Sequence, residues 1–451
     1  MKLAQAVVDQ ARSRGLQHVE AVVRRKDSAL TRFARSQIHQ NIQSTEQVVQ
    51  VRVVLNGAVG QAITNRLDDS GLSNLLDRAV ATARQSRPDP LWPGLPVEGA
   101  GFVDLGADRP ATAAQRAAAV DAIVAAASDP SPARSVGLVE VHGVVQIDHE
   151  AIAIASTTGL FATTLRPSVW VVVLAMAPDG GTGYAEERSA SLDTIDVSAL
   201  AKAACRDAQR TSSALASGRE LPPAPDAELP AVLSEYVTAD LVAKTARLVS
   251  SAARVADGSS PYGPGFRLGA ELIRLTDDGH DASGVPNPFD DEGVRRRRIE
   301  LVDAGRTVDV VHDSTTAAAS GTTSTGHALG YPDQVGPLAT NLFLQPGNAT
   351  EDELIASIDD GLLVRRFYYT NALDPRRMLM TGNVRDGLFR IRGGELAEAL
   401  APARFRLSYL DLLRSVDAVG TDARTVSGWY GGVNILGDVT VPPVRVSALR
   451  L

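Results

Sequence analysis

Apolar residues recur at helical and strand spacings along the first half of the chain. Residues 3–14 place apolar side chains three and four positions apart and stop at Gly15, which predicts an amphipathic helix. Residues 47–55 instead place apolar side chains at every second position, which predicts a half-buried strand. The Asn56-Gly57 pair that follows is typical of a two-residue hairpin turn.

The same periodicities predict the other elements. Helices are predicted at residues 69–86, 111–127, 195–214, 239–253 and 350–359. Strands are predicted at residues 18–25, 29–33, 38–42, 59–64, 138–145, 152–156, 161–165, 168–176, 231–233, 272–276, 297–303, 307–312, 340–344, 364–369, 388–391 and 444–449. Thr350, with Glu353 three residues later, is typical of a capping box. Residues 91–110 are rich in Gly and Pro and predict a surface loop.

A proline-rich stretch divides these elements into two groups. Residues 217–230 hold four prolines and few apolar residues, which is typical of a linker. Residues 1–216 therefore predict an N-terminal domain of mixed helices and antiparallel strands, and residues 231–451 a β-rich, barrel-like C-terminal domain. The expected fold class is α+β with two domains.

Composition restricts the function without naming it. Of the 451 residues, 44% are hydrophobic and 22% charged, as in ordinary globular proteins. The formal net charge of -8 argues against nonspecific nucleic-acid binding, which needs a basic surface. No apolar run approaches the ~20 residues of a membrane span, and the first residues lack the apolar core of a signal peptide. We therefore expect a cytoplasmic protein that binds neither nucleic acid nor membranes.

Metal-binding motifs are sparse. Cys205 is the only cysteine, which excludes a disulfide framework and a cysteine-based zinc site and favours a buried structural thiol. None of the seven histidines has the spacing of HExxH or HExxxH. His149-Glu150 begins such a motif, but strand-like alternation follows, so we interpret His149 as a structural histidine in a turn. A zinc site assembled from scattered His and Asp remains the alternative.

Nucleotide-binding and GxSxG motifs are absent, but residues 322–327 put hydroxyls beside an imidazole, an arrangement that can activate a nucleophile. The simpler interpretation is a polar turn in which Gly326 supplies an unusual backbone conformation. Acidic pairs such as Asp290-Asp291 can hold a metal or shuttle protons, although acids that cap loops are commoner. The four arginines 295–298 would alternate between the faces of a strand or bind a carboxylate.

Several segments resemble motifs of the TldD/PmbA family of metallopeptidase-related proteins. Residues 31–41 resemble its TRFANxxIHQN opening, with Arg35 in place of the first Asn of that motif. Other segments resemble its motifs in order along the chain: residues 287–297 (PFDDEG), 312–327 (STG), 340–355 (TNL, PG and EELI) and 381–383 (TGD). Each match alone is weak, but together they span nearly the whole chain, which is therefore identified as a member of the family.

The resemblance implies which residues matter. TldD-type subunits carry HExxxH on a helix early in the C-terminal domain, with a distant cysteine, as zinc ligands. Here the corresponding residues 241–248 hold no histidine and no cysteine follows Cys205, so the chain is similar to the PmbA/TldE type, without metal or catalytic residues. The family-signature residues are Arg32, Phe33, Asn41, Phe289, Asp290, Glu292 and Gly293. The candidates for the wall of a substrate chamber are His312, Asp313, Thr323, Ser324, Thr325, Gly326 and His327.

The resemblance also implies a function. We expect a noncatalytic subunit of a heterodimeric peptidase that processes small or unfolded peptides, with zinc in a TldD-type partner, because cleavage needs zinc to polarise the peptide carbonyl. One alternative is a tailoring hydrolase subunit in natural-product biosynthesis, such as a lincosamide pathway. Another is a homodimeric peptide-binding protein without enzymatic activity. The family's older label, modulator of DNA gyrase, would then describe an indirect effect on DNA.

Overall fold

A computed structural model of the chain describes residues 2–106, 111–128, 139–215, 220–260, 263–330, 336–428 and 437–451. Its α-helices are α1 (Lys2–Ser13), α2 (Asp69–Gln85), α3 (Ala113–Ser128), α4 (Val197–Leu215), α5 (Glu235–Val249), α6 (Ala252–Ala256), α7 (Ser314–Ala319), α8 (Glu351–Ala356) and α9 (Tyr409–Arg414). Its strands are β1 (Val19–Ala34), β2 (Gln37–Leu55), β3 (Ala58–Thr64), β4 (Gly101–Val103), β5 (Glu140–Ser156), β6 (Phe161–Met176), β7 (Thr182–Ser189), β8 (Leu229–Leu233), β9 (Leu275–Asp277), β10 (Ile299–Asp303), β11 (Arg306–Thr307), β12 (Asn341–Leu344), β13 (Asp360–Asp374), β14 (Leu379–Arg392), β15 (Glu395–Ala399), β16 (Arg404–Ser408), β17 (Val416–Val419), β18 (Arg424–Ser427), β19 (Asp438–Val441) and β20 (Val444–Leu449).

The first sheet is built from strands between residues 19 and 189. Its strand order is β3-β2-β1-β5-β6-β4, with β7 also paired to β6. The long strands pair antiparallel, and β4 alone pairs parallel, with β6. Odd-numbered side chains of β1, β5 and β6 pack under helices α1 to α4 and form two hydrophobic clusters there. The helices thus cover one face and leave the opposite face to the C-terminal half.

Two further sheets are built from strands between residues 229 and 449. Their orders are β11-β10-β9-β12-β19-β18 and β15-β14-β13-β8-β20-β17, with β16 also paired to β14. Helix α5 packs its apolar side against both sheets in the largest hydrophobic cluster. The α+β class is confirmed, but the expected barrel is wrong: within the described residues these strands form open sheets.

Most predicted elements exist, with boundaries that differ. The Asn56-Gly57 turn is confirmed, with φ values of 51° and 81° that match a type I′ hairpin. The capping box of α8 is also confirmed, because the side chains of Thr350 and Glu353 bond each other's backbone N–H groups. The pairs of short strands predicted within residues 138–156 and 161–176 are instead the single strands β5 and β6. Residue 138 lies outside the described residues, as do residues 217–219 of the predicted linker.

Three local predictions are wrong. His149 is buried in the middle of β5 rather than in a turn, because β1 and β6 pair with that strand on both sides. Residues 295–298 precede β10, so they do not alternate along a strand. The strand predicted at residues 307–312 shrinks to the two-residue β11, after which Val311 bridges to Ser251 in another part of the chain.

The only cysteine of the sequence is buried. Cys205 lies buried on α4, and burial raises the pKa of its thiol to about 11. The predicted burial is confirmed, and a thiol with a raised pKa stays protonated at neutral pH. None of the helices in the described part of the chain combines the length and apolar character needed to cross a bilayer.

Candidate functional site

A cleft separates the uncovered face of the first sheet from the C-terminal half of the chain. Its volume is about 590 Å³. Strands β1, β5 and β6 line one side, and the loops before β10 and after α7 line the other. The charged side chains along it are Arg24, Lys26, Asp148, Glu150, Arg166, Arg188, Asp290, Asp291, Arg296 and Asp438. We call this cavity the polar cleft.

Strand alternation directs these side chains into the polar cleft. On β5, Asp148 and Glu150 face the cleft, whereas odd-numbered positions such as Ile147 pack toward α3 and α4. The strand register then sets opposite charges side by side. Lys26 of β1 and Arg166 of β6 both lie opposite Glu150.

Glu150 is the centre of an ion-pair network on the sheet side. Arg24 donates to Glu150 Oε1 at 3.3 Å and also contacts Asp291 across the cleft, and Arg166 donates to Glu150 Oε2 at 2.5 Å. Burial would raise the pKa of Glu150, but Arg166 and Arg24 outweigh it and lower that pKa to about 2. Alternating charges of both signs suit a ligand with many polar groups, such as a peptide main chain.

A second polar group lies behind the wall of the cleft. His327 Nε2 is 2.9 Å from Asp277 Oδ1, and His327 Nδ1 is 2.9 Å from Thr325 Oγ1. Burial lowers the pKa of His327, although Asp277 acts against this. Burial would raise the pKa of Asp277, but His327 and Arg296 outweigh it, so that pKa is lowered. A neutral imidazole therefore donates to an ionised carboxylate and accepts from the threonine hydroxyl.

A hydroxyl, an imidazole and a carboxylate in this order are also the parts of an activated nucleophile. However, Thr325 Oγ1 accepts from the backbone N–H of His312 at 2.7 Å. The Asp277 and His327 side chains are fully buried, and none of the three residues lines the polar cleft. A nucleophile must reach its substrate, so we interpret the network as a structural link between this loop and β9.

The other residues predicted to line the wall of a substrate chamber belong to the same segment of the chain. Asp313 caps α7, Ser324 bonds the loop backbone, and Thr323 is exposed on the surface. Gly326 has a φ of 75°, which confirms its unusual backbone conformation. The part of this segment that lines the polar cleft is residues 328–330. Direct contact of the chamber candidates with a substrate stays a prediction.

Three segments of the chain match the domains of one protein family. Its residues 19–83, 107–211 and 226–451 match domain 1, the central domain and the C-terminal domain of the PmbA/TldA metallopeptidases. The chain belongs to the TldD/PmbA family.

Two solved structures have the same fold. TldE from Thermococcus kodakarensis is 16% identical, with a TM-score of 0.83 over 99% of each chain. A protein from Thermotoga maritima, described as a modulator of a DNA gyrase, is 17% identical, with a TM-score of 0.79 over 100% of this chain and 99% of its own. At these identities the likeness shows the fold alone.

Curated relatives match a shorter stretch. A metalloprotease from Methanothermobacter thermautotrophicus is 29% identical over 168 residues, and one from Methanocaldococcus jannaschii is 26% identical over 170 residues. Each alignment covers 37% of this chain and 37% of the relative.

The PFDDEG segment of the TldD/PmbA family joins the C-terminal half to the first sheet. Phe289 is buried among apolar side chains on the cleft-side face of the sheet. Glu292 Oε1 accepts from Arg52 of β2 at 3.0 Å. Gly293 has a φ of 76°, and a Cβ there would lie 2.8 Å from a methyl group of Leu160. Phe289, Glu292 and Gly293 thus each have a packing or pairing role between the two halves.

The Asp290 carboxylate accepts hydrogen bonds from the backbone of the same segment and of residue 328. Its Oδ1 accepts from the backbone N–H groups of Glu292 and Val294, and its Oδ2 accepts from that of Ala328. Burial and the neighbouring Glu292 carboxylate hold the pKa of Asp290 well above its ordinary range, although the hydrogen bonds act in the opposite direction. Asp290 therefore ties the PFDDEG turn to the cleft-lining residues 328–330.

The signature residues near the N-terminus support a helix instead. Phe33 is buried in the cluster beneath α3 and α4. The buried Arg116 of α3 donates to Asn41 Oδ1 at 2.9 Å and to Thr31 Oγ1 at 3.2 Å. Arg32 remains at the surface, where it donates to the neighbouring β2. The TRFA and IHQN parts of the TldD/PmbA motif thus fix α3 on the first sheet.

The family is described as metallopeptidases, and α5 is the helix on which the sequence resemblance would place zinc ligands. Its side facing the C-terminal hairpin carries Asp240 and Lys244, one turn apart. Lys244 Nζ contacts Asp240 Oδ1, and the Tyr409 hydroxyl donates to Asp240 Oδ2. Zinc is held by several His, Cys or carboxylate ligands, and one carboxylate already paired with an ammonium does not fit it. Across the described residues, no three His, Cys, Asp or Glu side chains are arranged to hold a metal.

Several cleft residues were missed by the sequence analysis. Arg24, Lys26, Asp148 and Arg166 were not among the predicted site residues. The available signal was a polar side chain at every second position over short stretches of three strands, residues 24–28 of β1, 146–150 of β5 and 164–168 of β6. That pattern marks a sheet face that is covered by neither core nor helix, but it is also typical of any solvated strand.

Proposed function

We propose that this chain is the noncatalytic, PmbA/TldE-type subunit of a heterodimeric peptidase and binds extended peptide substrates in the polar cleft. The supporting observation is the cleft itself: paired charges of both signs line it, and α5 beside it lacks a ligand set for zinc. Such a surface can hydrogen-bond a peptide main chain and leave cleavage to the zinc site of a TldD-type partner.

The proposed binding does not depend on one peptide sequence. Every residue of a peptide repeats one N–H donor and one C=O acceptor. Arg24 and Arg166 offer N–H donors, while Asp148 and Glu150 offer acceptors along the same wall. Contacts of this kind suit small or unfolded peptides of varied sequence.

Co-purification with the TldD-type chain of the same organism tests this proposal. We expect a stable complex of the two chains, no zinc in this chain alone, and peptide cleavage by the complex that this chain alone does not perform. Cleavage by this chain alone would contradict the noncatalytic role. A homodimer that ignores the TldD-type chain would instead favour a peptide-binding protein. A cytoplasmic location stays a prediction.

A variant of Glu150 tests substrate binding in the complex with the TldD-type chain. Glu150→Gln removes the carboxylate that holds Arg24 and Arg166 in place. We expect this variant to form the complex but to raise the KM for peptide severalfold with little change in kcat, because the cleft binds substrate away from the zinc. A loss of kcat with unchanged KM would place Glu150 in the chemical step and contradict the proposal.

A further inference from the structure

A second cavity, of about 560 Å³, adjoins the polar cleft. It lies between the uncovered face of the first sheet, helix α5 and the β13–β14 hairpin. Trp170 and Ser427 line both cavities, so the two adjoin at these residues. The indole Nε1 of Trp170 donates to Glu186 at 2.8 Å, which fixes the ring at the junction.

The charged groups at the base of this cavity are already paired. Asp240 is held by Lys244 and by the Thr370 hydroxyl at 3.2 Å. Arg366 donates to Asp386 at 2.8 Å, and its guanidinium carbon lies 3.5 Å from the centre of the Tyr184 ring. These four charges offset one another. The remaining carboxyl in the lining, Glu186, accepts from Trp170, and burial raises its pKa, so the cavity does not call for a charged ligand.

The walls are mainly aromatic. Trp170, Tyr184 and Tyr236 line the side toward the first sheet and α5, and the last two rings meet edge to face at 5.5 Å. Tyr368 and Tyr369 line the opposite side from β13. Aromatic walls of this kind contact flat apolar groups by stacking and edge-to-face packing. We call this cavity the tyrosine pocket.

Tyr369 is held at the mouth of the tyrosine pocket in an unusual conformation. Its φ is 53°, in the left-handed region, and the pairing of β13 with β14 shifts register between Tyr368 and Asn371. A bulky residue rarely adopts this φ, and such conformations cluster at ligand-binding sites. The residue is 76% exposed, so the bulge presents a ring that the protein's own core does not use.

We propose that the tyrosine pocket binds an aromatic side chain of a peptide whose main chain lies in the polar cleft. This inference rests on the proposed function, since it needs a peptide in the cleft. Trp170 would separate the main-chain site from the side-chain site, and Tyr369 would cover the bound ring. The pocket would then give the subunit a preference for peptides with a Phe, Tyr or Trp at one position.

Two labelled pentapeptides that differ only in a central Phe or Ala test this inference. Fluorescence anisotropy with the full chain measures both affinities. We expect the Phe peptide to bind about tenfold more tightly, the gain for one buried aromatic contact. Tyr369→Gly keeps the positive φ and removes the ring, so it should abolish most of that preference, whereas Tyr369→Phe should retain it. Leu373→Ala, an exposed position of β13 outside the pocket, is the matched control.

The outcomes separate the two proposals. Equal binding of both peptides, or a preference that survives Tyr369→Gly, would overturn the tyrosine pocket and leave peptide binding in the polar cleft intact. Binding of neither peptide would overturn both. A preference that Tyr369→Gly removes and Leu373→Ala preserves would support the pocket.

Discussion

Glu150 links the stability of the protein to pH. Its pKa is lowered from an ordinary 4.5 to about 2, where Arg166 and Arg24 outweigh the effect of burial. A carboxyl with a lowered folded-state pKa stabilises the fold above its unfolded pKa and loses that contribution as the pH falls through its folded pKa. The contribution is therefore complete above about pH 4.5 and disappears toward pH 2.

Glu150→Gln is expected to lower the free energy of unfolding by on the order of 3 kcal/mol at pH 7. The difference from the wild type should narrow as the pH falls from 4.5 to 2, because the wild type then loses the same charge. Urea unfolding across that range measures it, with Glu46→Gln at an exposed position of β2 as the control. A difference that stays constant with pH would contradict the role of the charge.

Thr325 distinguishes a structural network from a catalytic one. Thr325→Val removes the hydroxyl from His327 Nδ1 and from the His312 N–H, so two buried groups lose a partner. We expect a loss of stability of about 1–3 kcal/mol per group, with Thr325→Ser close to the wild type. Urea unfolding measures the loss. Unchanged stability of the Val variant, together with lost peptidase activity in the complex, would instead indicate a nucleophile.

At the scale of whole elements, the sequence predicts the presence of strands better than it predicts their lengths. Strand β1 was predicted as two pieces because residues 24–28 are polar on both faces. One face lines the polar cleft and the other is partly exposed, so neither carries the apolar alternation that marks a strand. In β5, Asp148 and Glu150 line the polar cleft and the polar but buried His149 interrupts the apolar face, so the predicted strand breaks there as well. Apolar periodicity therefore does not predict the full length of the strands that line the candidate site.

The PFDDEG segment acts as an element that docks the C-terminal half onto the first sheet. Phe289→Ala should leave a cavity in the cluster around it and lower stability by about 3–5 kcal/mol. Hydrogen exchange should also quicken in residues 287–297. Phe102→Ala, at a residue that is 71% exposed, controls for the loss of an aromatic ring. Equal exchange in the two variants would mean that Phe289 does not hold the segment in place.

At the scale of the whole molecule, the polar cleft could not be predicted from local pattern. Its two walls meet through pairs such as Arg24 and Asp291, which are 267 positions apart. Family motifs supplied the PFDDEG side of the cleft, because those residues are recognisable as a run. The sheet side consists of single charged residues on three strands, and only the strand register brings them together.

A buried ion-pair group provides a second connection between the two halves. Arg365 of β13 lies 2.9 Å from Asp207 of α4 and donates to both carboxylate oxygens of Glu351 at 2.8 and 2.7 Å. Burial raises the pKa of Asp207, which Arg365 counteracts. Removing one member of a buried group leaves the others without compensation and costs about 3–5 kcal/mol, more than the intact group contributes.

Arg365→Met should therefore weaken the coupling between the halves rather than unfold either one, because the PFDDEG contacts remain. Scanning calorimetry should show the unfolding transition broadening or splitting into two, with the first transition at a lower temperature than in the wild type. The triple variant that adds Asp207→Asn and Glu351→Gln removes the two carboxylates left without a partner. It should recover part of the lost stability. A single transition of unchanged width in Arg365→Met would mean that the two halves are coupled by other contacts.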